Sequence, residues 1–154
     1  MHLHNDHKFL QNDALWVIVD PWLNQPEKDQ LEYLELGIDI NQHNHIFLDK
    51  LFHDIQHAKN VVVFQEATSP IHDLFKDYPR YSTIRQLSID AKIYSDIVFC
   101  GMHYGMCVHS AVTRLQKSLP DINYYVKRDL SCVMPLENPH QYDQDLRYHN
   151  IQII

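Results

Sequence analysis

Apolar runs that alternate with helix-forming segments constrain the fold of this chain more than any other feature. The runs are short and rich in β-branched or aromatic residues, as in strands that are covered on both faces. The strand candidates are residues 14–20, 61–66, 95–102, 122–130 and 150–154. Strands alternating with helices favour right-handed crossovers, which predicts an α/β fold with a parallel sheet and helices on both of its faces.

Most segments between these runs have apolar residues at helical spacing. Asn44 is a candidate N-cap for the first predicted helix. Residues 81–91 are ambiguous and are interpreted as a short helix, whereas the stretch that holds Pro21 and Pro26 is interpreted as a polar connection. The helix candidates are residues 43–60, 69–79, 81–91, 106–119 and 140–149.

Polar features follow three of the predicted strands in succession. Asp20 ends the first, Glu66 ends the second, and the segment from Gly101 to Cys107 follows the third. Sites in open parallel sheets form at the carboxyl ends of the strands, so we expect these residues to lie together. Because Cys107 opens a predicted helix, backbone N–H groups and the helix dipole should stabilise a thiolate there. The pattern indicates a nucleophilic cysteine beside a carboxylate that can take its proton.

Composition excludes several classes of protein. The length of 154 residues predicts one domain over residues 1–154, with residues 1–13 as a polar N-terminal extension. A formal net charge of −7 argues against a nucleic-acid partner. No apolar run is long enough to span a bilayer and the start lacks a secretory pattern, so we expect a cytoplasmic protein without a membrane partner.

The cysteines and histidines indicate neither disulfides nor metal. Three cysteines at scattered spacings predict reduced thiols. His53 and His57 are four residues apart, but no third ligand accompanies them, and solvated or capping roles suit the other histidines better. We therefore expect no metal site and no cofactor.

Two segments resemble the isochorismatase-like cysteine hydrolases, a superfamily that includes the nicotinamidases. ALWVIVD is similar to the opening strand of that family, and Asp20 matches its catalytic aspartate. VFCGMHYGMCVHSAV is similar to its cysteine signature: Gly101 matches the family glycine, Cys107 the nucleophile, Val108 its usual neighbour, and Ser110 with Ala111 the small pair that follows. The order of elements agrees from about Ala14 to the last predicted strand.

The resemblance implies a three-layer α/β/α, Rossmann-like fold with a mainly parallel six-stranded sheet. It also implies a non-proline cis peptide, which by position falls at Met102–His103. The backbone N–H groups of His103 and Cys107 would then form an oxyanion hole. The catalytic residues would be a triad of aspartate, lysine and cysteine, and the chain would assemble as a homo-oligomer.

The lysine of that triad has two candidates in this sequence. Lys76 is the lysine between the second predicted strand and the next helix, and we assign it to the triad. Arg80, followed by Tyr81 and Ser82, fits the local family pattern better, yet arginine cannot shuttle a proton. The pocket also departs from the family, because DPWLNQP replaces the usual sequence after the first strand; Trp22 and Tyr104 are our candidate substrate-binding residues.

These residues predict a cysteine hydrolase that cleaves a C–N, amide-type bond of a small molecule through a thioester. Two alternatives stay open. In the first, the chain is a catalytically eroded relative of these hydrolases that serves as an oligomeric binding or scaffold protein. In the second, it is a thiol redox protein with a second sulfur near Cys107. The position of the Lys76 ammonium relative to Asp20 distinguishes the hydrolase from the eroded relative.

Overall fold

A computed structural model of the chain describes residues 12–66 and 68–154. Its six strands form one sheet in the order β3-β2-β1-β4-β5-β6, and every neighbouring pair is parallel. The strands are β1 (Leu15–Val19), β2 (Asn60–Phe64), β3 (Arg80–Tyr81), β4 (Asp96–Met102), β5 (Asn123–Cys132) and β6 (Gln152–Ile153). The predicted parallel α/β fold is confirmed.

Five α-helices within the described residues connect these strands. They are α1 (Glu27–Glu35), α2 (Ile40–Ile55), α3 (Ile84–Ala91), α4 (His109–Ser118) and α5 (Pro139–Tyr148). Each of these helices is too short or too polar to cross a membrane.

The core lies in two layers, one on each face of the sheet. Successive residues of β1 alternate between them, since Val17 belongs to one layer and Ile18 to the other. One layer holds apolar side chains of α3, α4 and α5, and the opposite layer holds those of α2. The molecule is therefore a three-layer α/β/α structure.

Local structure departs from the sequence-based expectation in two connections. The stretch containing Pro21 and Pro26 includes helix α1, whose N-cap is Pro26; proline suits a helix start because no intrahelical N–H is needed there. Residues 69–79 contain only a 3₁₀ turn, Asp73–Phe75. The backbone of that segment instead bonds the loop after β1, as in the 2.8 Å bond from His72 N–H to the Pro21 carbonyl.

Two further boundaries differ. The short strand β3 lies within a segment predicted as loop and helix, where it pairs with β2 at the edge of the sheet. Helix α2 begins earlier than predicted, because Asp39 rather than Asn44 is its N-cap and accepts a hydrogen bond from Gln42 N–H. Asn44 lies inside the helix and is buried.

Candidate active site

The carboxyl ends of β1, β2 and β4 enclose a small pocket. Val19 at the end of β1 pairs with Phe64 of β2 and with Gly101 of β4, so the residues that follow these three strands meet at one edge. The pocket has a volume of about 340 Å³ and is lined by Val19, Asp20, Phe64, Glu66, Met106, Cys107, Ser110 and Arg114. Asp20, Glu66 and Cys107 come together as the sequence predicts.

Asp20 is turned into this pocket by an uncommon backbone conformation. Its φ is 47°, in the left-handed region, which non-glycine residues adopt rarely and Asp and Asn more readily than most. The Asp20 N–H donates to the Phe64 carbonyl at 3.0 Å, and the Asp20 carbonyl accepts from Trp22 N–H at 2.7 Å. These bonds hold a buried carboxylate at the end of β1.

The Cys107 thiol and the Asp20 carboxylate form a hydrogen-bonded pair. Burial raises the pKa of Asp20 to about 6, and Glu66 adds to the rise, while the bond from Cys107 and the charge of Arg114 oppose it. Burial and the negative charge of Asp20 raise the pKa of Cys107 to about 12. The expectation of a stabilised thiolate is therefore not met: at neutral pH the pair is a thiol beside a carboxylate, which suits general-base activation of the thiol.

The turn before Cys107 places the backbone of His103 next to the sulfur. The Met102–His103 peptide is cis, at the position that the resemblance implies. The chain then makes one π-type turn, Tyr104–Val108, before α4. The backbone of His103 hydrogen-bonds the Cys107 sulfur, which favours the thiolate and acts against the rise of its pKa. The His103 N–H therefore lies beside the reacting sulfur.

A polar contact with helix α2 positions the His103 side chain. Its Nε2 lies 3.3 Å from Oδ1 of Asn44, and the Nδ1 atom of His43 lies 3.2 Å from the same oxygen. Burial lowers the pKa of His103 to about 4, so the ring is neutral at physiological pH. The buried Asn44 of α2 therefore holds the residue whose backbone faces Cys107.

Close approach explains both glycines of the cysteine segment. Gly101 has a φ of 115°, and a Cβ there would lie 2.3 Å from the Val19 carbonyl oxygen. A Cβ at Gly105 would lie 2.0 Å from Oε1 of Glu137 and 2.2 Å from the Tyr142 ring. The first glycine brings β4 against the end of β1, and the second lets the turn pack beside α5.

Arg114 supplies the positive charge of the pocket, and the sequence analysis did not assign it. Its Nη1 donates to Oε2 of Glu66 at 3.0 Å and its Nη2 to Oε1, so the pair is bidentate. Its Nε donates to the Ser110 hydroxyl at 3.0 Å, and its guanidinium carbon lies 5.9 Å from the centre of the Phe64 ring. Among the described residues that line this pocket, Arg114 is the only basic one.

A signal for Arg114 was present in the sequence. Arg114 follows Cys107 by seven residues, about two helical turns, which places both on one face of a helix. A search for site residues at the carboxyl ends of strands does not identify Arg114, because this residue lies two turns along a helix.

Lys76 is not brought to the Asp20–Cys107 pair, which corrects its assignment to the triad. Its ammonium pairs with Asp73 at 2.5 Å, and 63% of its side chain is exposed. The neighbouring Phe75 is buried in the α2 layer, on the opposite face of the sheet from Cys107, and this packing holds the lysine away. Arg80, the other candidate, is exposed on the edge strand β3.

Neither predicted substrate-binding residue lines this pocket. Trp22 pairs with Ile71 in an isolated bridge and packs against the α2 layer. Tyr104 is fully buried in the opposite layer, where its hydroxyl donates to Asp143 and the Arg128 guanidinium carbon lies 4.2 Å from the ring centre. Met106, Ser110 and Phe64 take the places that we expected these two aromatic residues to fill.

The remaining candidates for chemistry were metal-binding side chains and the other two cysteines. Residues 12–66 and 68–154 contain no group of three or more His, Cys, Asp or Glu side chains arranged to hold a metal ion. Cys100 and Cys132 are free and buried, and the Cys100 thiol is directed at the Val17 carbonyl within the sheet.

Comparison with solved structures identifies the class to which this fold belongs. An isochorismatase-like hydrolase from Alkaliphilus metalliredigens matches with a TM-score of 0.60 and 11% identity, over 92% of this chain and 94% of that chain. The YcaC gene product from Escherichia coli, described as an octameric hydrolase of unknown specificity, matches with a TM-score of 0.57 and 14% identity, over 94% of this chain and 76% of that chain. Pyrazinamidase of Pyrococcus horikoshii, solved in complex with zinc, matches with a TM-score of 0.50 and 14% identity, over 92% of this chain and 98% of that chain.

The chain therefore has the isochorismatase-like hydrolase fold, as the two sequence segments predicted. No family model and no curated protein matches the sequence. At these identities the similarity establishes the fold, and function has to be argued from the pocket itself.

Proposed function

We propose that this protein is a cysteine hydrolase that cleaves an amide-type C–N bond of a small molecule through a thioester intermediate. The observation that carries the proposal is the hydrogen bond between the Cys107 thiol and the buried Asp20 carboxylate, in a pocket at the carboxyl edge of the sheet. A nucleophile paired with a base of pKa near 6 is the arrangement that acyl transfer at neutral pH requires.

The proposed reaction has two stages. Asp20 takes the proton of Cys107 as the sulfur attacks the substrate carbonyl, and the N–H groups of His103 and Cys107 bind the oxyanion. Asp20 then gives that proton to the leaving nitrogen, so the C–N bond breaks and ammonia or an amine departs. In the second stage Asp20 takes a proton from water, the hydroxide attacks the thioester, and the proton returns to the sulfur as the acid leaves.

Arg114 replaces the lysine in this proposal, with a narrower role. Its guanidinium interacts electrostatically with both Cys107 and Asp20. Because arginine stays charged at all relevant pH values, it offsets negative charge that develops on the sulfur but passes no proton. All proton transfers then fall to Asp20.

The test is ammonia release from a panel of small primary amides, measured with the wild-type chain and two variants. Cys107→Ser and Asp20→Asn should each reduce turnover at least about a hundredfold, since the first weakens the nucleophile and the second removes the base. Leu119→Met, at the residue that follows the last turn of α4 and outside the pocket lining, serves as a control for handling of the protein. Turnover that survives in Cys107→Ser would contradict a thioester mechanism.

The eroded relative remains a second candidate, favoured by two observations: Lys76 lies away from the Asp20–Cys107 pair, and the pKa of Cys107 is raised. Alkylation by iodoacetamide separates the two functions. Iodoacetamide should alkylate Cys107 of a hydrolase faster than the buried Cys100 and Cys132, and Asp20→Asn should slow that reaction, because it removes the base that takes the thiol proton. Equal rates of alkylation at Cys107 in the wild-type chain and in Asp20→Asn would favour the scaffold.

Homo-oligomeric assembly, a small-molecule substrate and a cytoplasmic location complete the proposal. The similar YcaC protein is octameric. Large apolar side chains on α1 are exposed in the single chain, which supports a contact between copies. The three free cysteines support the reducing compartment.

A further inference from the structure

The guanidinium of Arg114 in the pocket is already hydrogen-bonded within the protein, so it is not available to a substrate carboxylate. Glu66 engages both terminal nitrogens of Arg114, and the Nε of Arg114 is held by Ser110. The fork that normally recognises a carboxylate is therefore satisfied within the protein. Two carboxylates, Asp20 and Glu66, against this single guanidinium also leave the described pocket lining with net negative charge when Asp20 is ionised.

We propose that Glu66 is a specificity-determining residue, which restricts the Cys107 pocket to uncharged carbonyl substrates by holding Arg114 and excluding substrates with a carboxylate next to the reacting carbon. The inference rests on the proposed function, because it names the substrate class of that same site. Both residues line the pocket, and the Arg114 and Glu66 side chains are 40% and 50% exposed, so both are accessible to an entering substrate.

Removing the Glu66 charge should reverse this preference. A glutamine at position 66 no longer neutralises Arg114, and its amide releases part of the fork. The guanidinium then becomes available to a carboxylate that enters with the reactive carbon, while an uncharged compound gains nothing from the change.

Two alkylating reagents that differ in charge alone measure this preference without requiring hydrolysis. Iodoacetamide is uncharged and iodoacetate carries a carboxylate next to the reacting carbon. In both reactions the sulfur of Cys107 forms a bond to carbon, the carbon–iodine bond breaks, iodide leaves, and Asp20 takes the thiol proton. Mass spectrometry of the Cys107 peptide gives the two rates, and their ratio cancels any change in the reactivity of the thiol itself.

Wild-type protein should favour iodoacetamide more strongly than the unfolded Cys107 peptide does. Glu66→Gln should raise the iodoacetate-to-iodoacetamide ratio about tenfold. Arg114→Gln should lower or retain the wild-type ratio, and Glu35→Gln, which removes an exposed carboxylate of α1, should leave it unchanged.

A ratio that stays within about twofold of wild type in Glu66→Gln would overturn the proposal, as would a rise in Arg114→Gln. Failure of the proposed hydrolysis can be distinguished from failure of the proposed role of Glu66. If the ratio shifts as expected but no amide is hydrolysed, Glu66 controls access to the pocket and the assignment of the reaction is wrong.

Discussion

At the scale of single residues, the ionised form of Asp20 that the proposed catalysis needs also lowers the stability of the folded chain. Burial, together with the nearby Glu66 carboxylate, disfavours the charged form of Asp20 in the folded chain, and the hydrogen bond from Cys107 offsets only part of this effect. Its pKa rises from an ordinary value of 3.8 to about 6. Folding therefore favours protonated Asp20, and the ionised carboxylate that serves as the base reduces the free energy of unfolding.

Asp20→Asn should consequently stabilise the protein while it removes the base. Asparagine keeps the shape, remains uncharged and tolerates the positive φ of 47°. The gain in the free energy of unfolding should be roughly 1–3 kcal/mol at pH 7 and nearly vanish at about pH 3, where wild-type Asp20 is protonated in both the folded and the unfolded chain. Urea unfolding of both proteins at about pH 7 and about pH 3 measures it. Equal stability at pH 7 would mean that Asp20 has no raised pKa.

The same titration should appear in the reactivity of Cys107. Below the pKa of Asp20, about 6, the carboxyl holds its own proton and cannot take another, so the rate of alkylation should fall as the pH decreases through 6. Arg114 lowers this pKa, and Arg114→Gln should move the fall to higher pH. Lys76→Gln, in which the exposed ion pair with Asp73 is lost, should not move it. The measurement is the iodoacetamide rate at Cys107 between pH 4.5 and 8; coincident profiles for wild type and Arg114→Gln would exclude an effect of Arg114 on Asp20.

At the scale of secondary-structure elements, the central strands and most helices could be predicted, whereas the edge strand β3 and the connections after β1 and β2 could not. Strands β1, β2 and β4 are apolar because both faces of the sheet are covered, and that composition is visible in sequence. Edge strand β3 has two residues and carries no such pattern. The turn at Asp73–Phe75 depends on tertiary bonds to the loop after β1, which no local pattern reports.

The candidate site divides in the same way. Asp20 directly follows a buried strand, and Cys107 follows a strand and two glycines at the start of a predicted helix, so sequence pattern indicates both residues. The positive charge is different. The family resemblance implies a lysine in the segment after the second strand, and Lys76 is the lysine there, but Phe75 packs on the opposite face of the sheet and holds Lys76 away from the pocket. Arg114 reaches the pocket through helix periodicity, two turns beyond the cysteine.

The two glycines of the cysteine segment should differ in their tolerance of a methyl group. In Gly101→Ala the new Cβ meets backbone of β1 and the residue keeps a φ of 115°, so neither partner can yield. In Gly105→Ala it meets the side chains of Glu137 and Tyr142, which can rotate away. We expect a loss in the free energy of unfolding of roughly 3 kcal/mol or more for the first and about 1–2 kcal/mol for the second. Urea unfolding compares them, and a smaller loss for Gly101→Ala would contradict the close packing of β4 on β1.

At the scale of the whole molecule, helix α1 is incompletely explained by a single chain. None of its residues is buried, although Leu31 and Leu34 are apolar and Leu36 follows directly after it. These three leucines are 57%, 58% and 60% exposed. An amphipathic helix gains most of its stability in a protein from burial of its apolar face, so α1 has the properties of an element that packs against another copy.

The double variant Leu31→Glu with Leu34→Glu should therefore dissociate the proposed oligomer. Two glutamates on the contact face would have to be buried without partners, which costs several kcal/mol and exceeds the gain from the remaining contact area. Multi-angle light scattering at micromolar concentration should give a multiple of 18.3 kDa for the wild-type chain and a smaller mass for the double variant. Lys28→Glu is the matched control, because it makes the same change in net charge on the same helix and leaves the leucines in place. A wild-type mass of 18.3 kDa would exclude a homo-oligomer. An assembly of unchanged mass in the double variant would place the contact elsewhere on the surface, with the exposed Ile89 and Ile93 near the end of α3 as the next residues to replace.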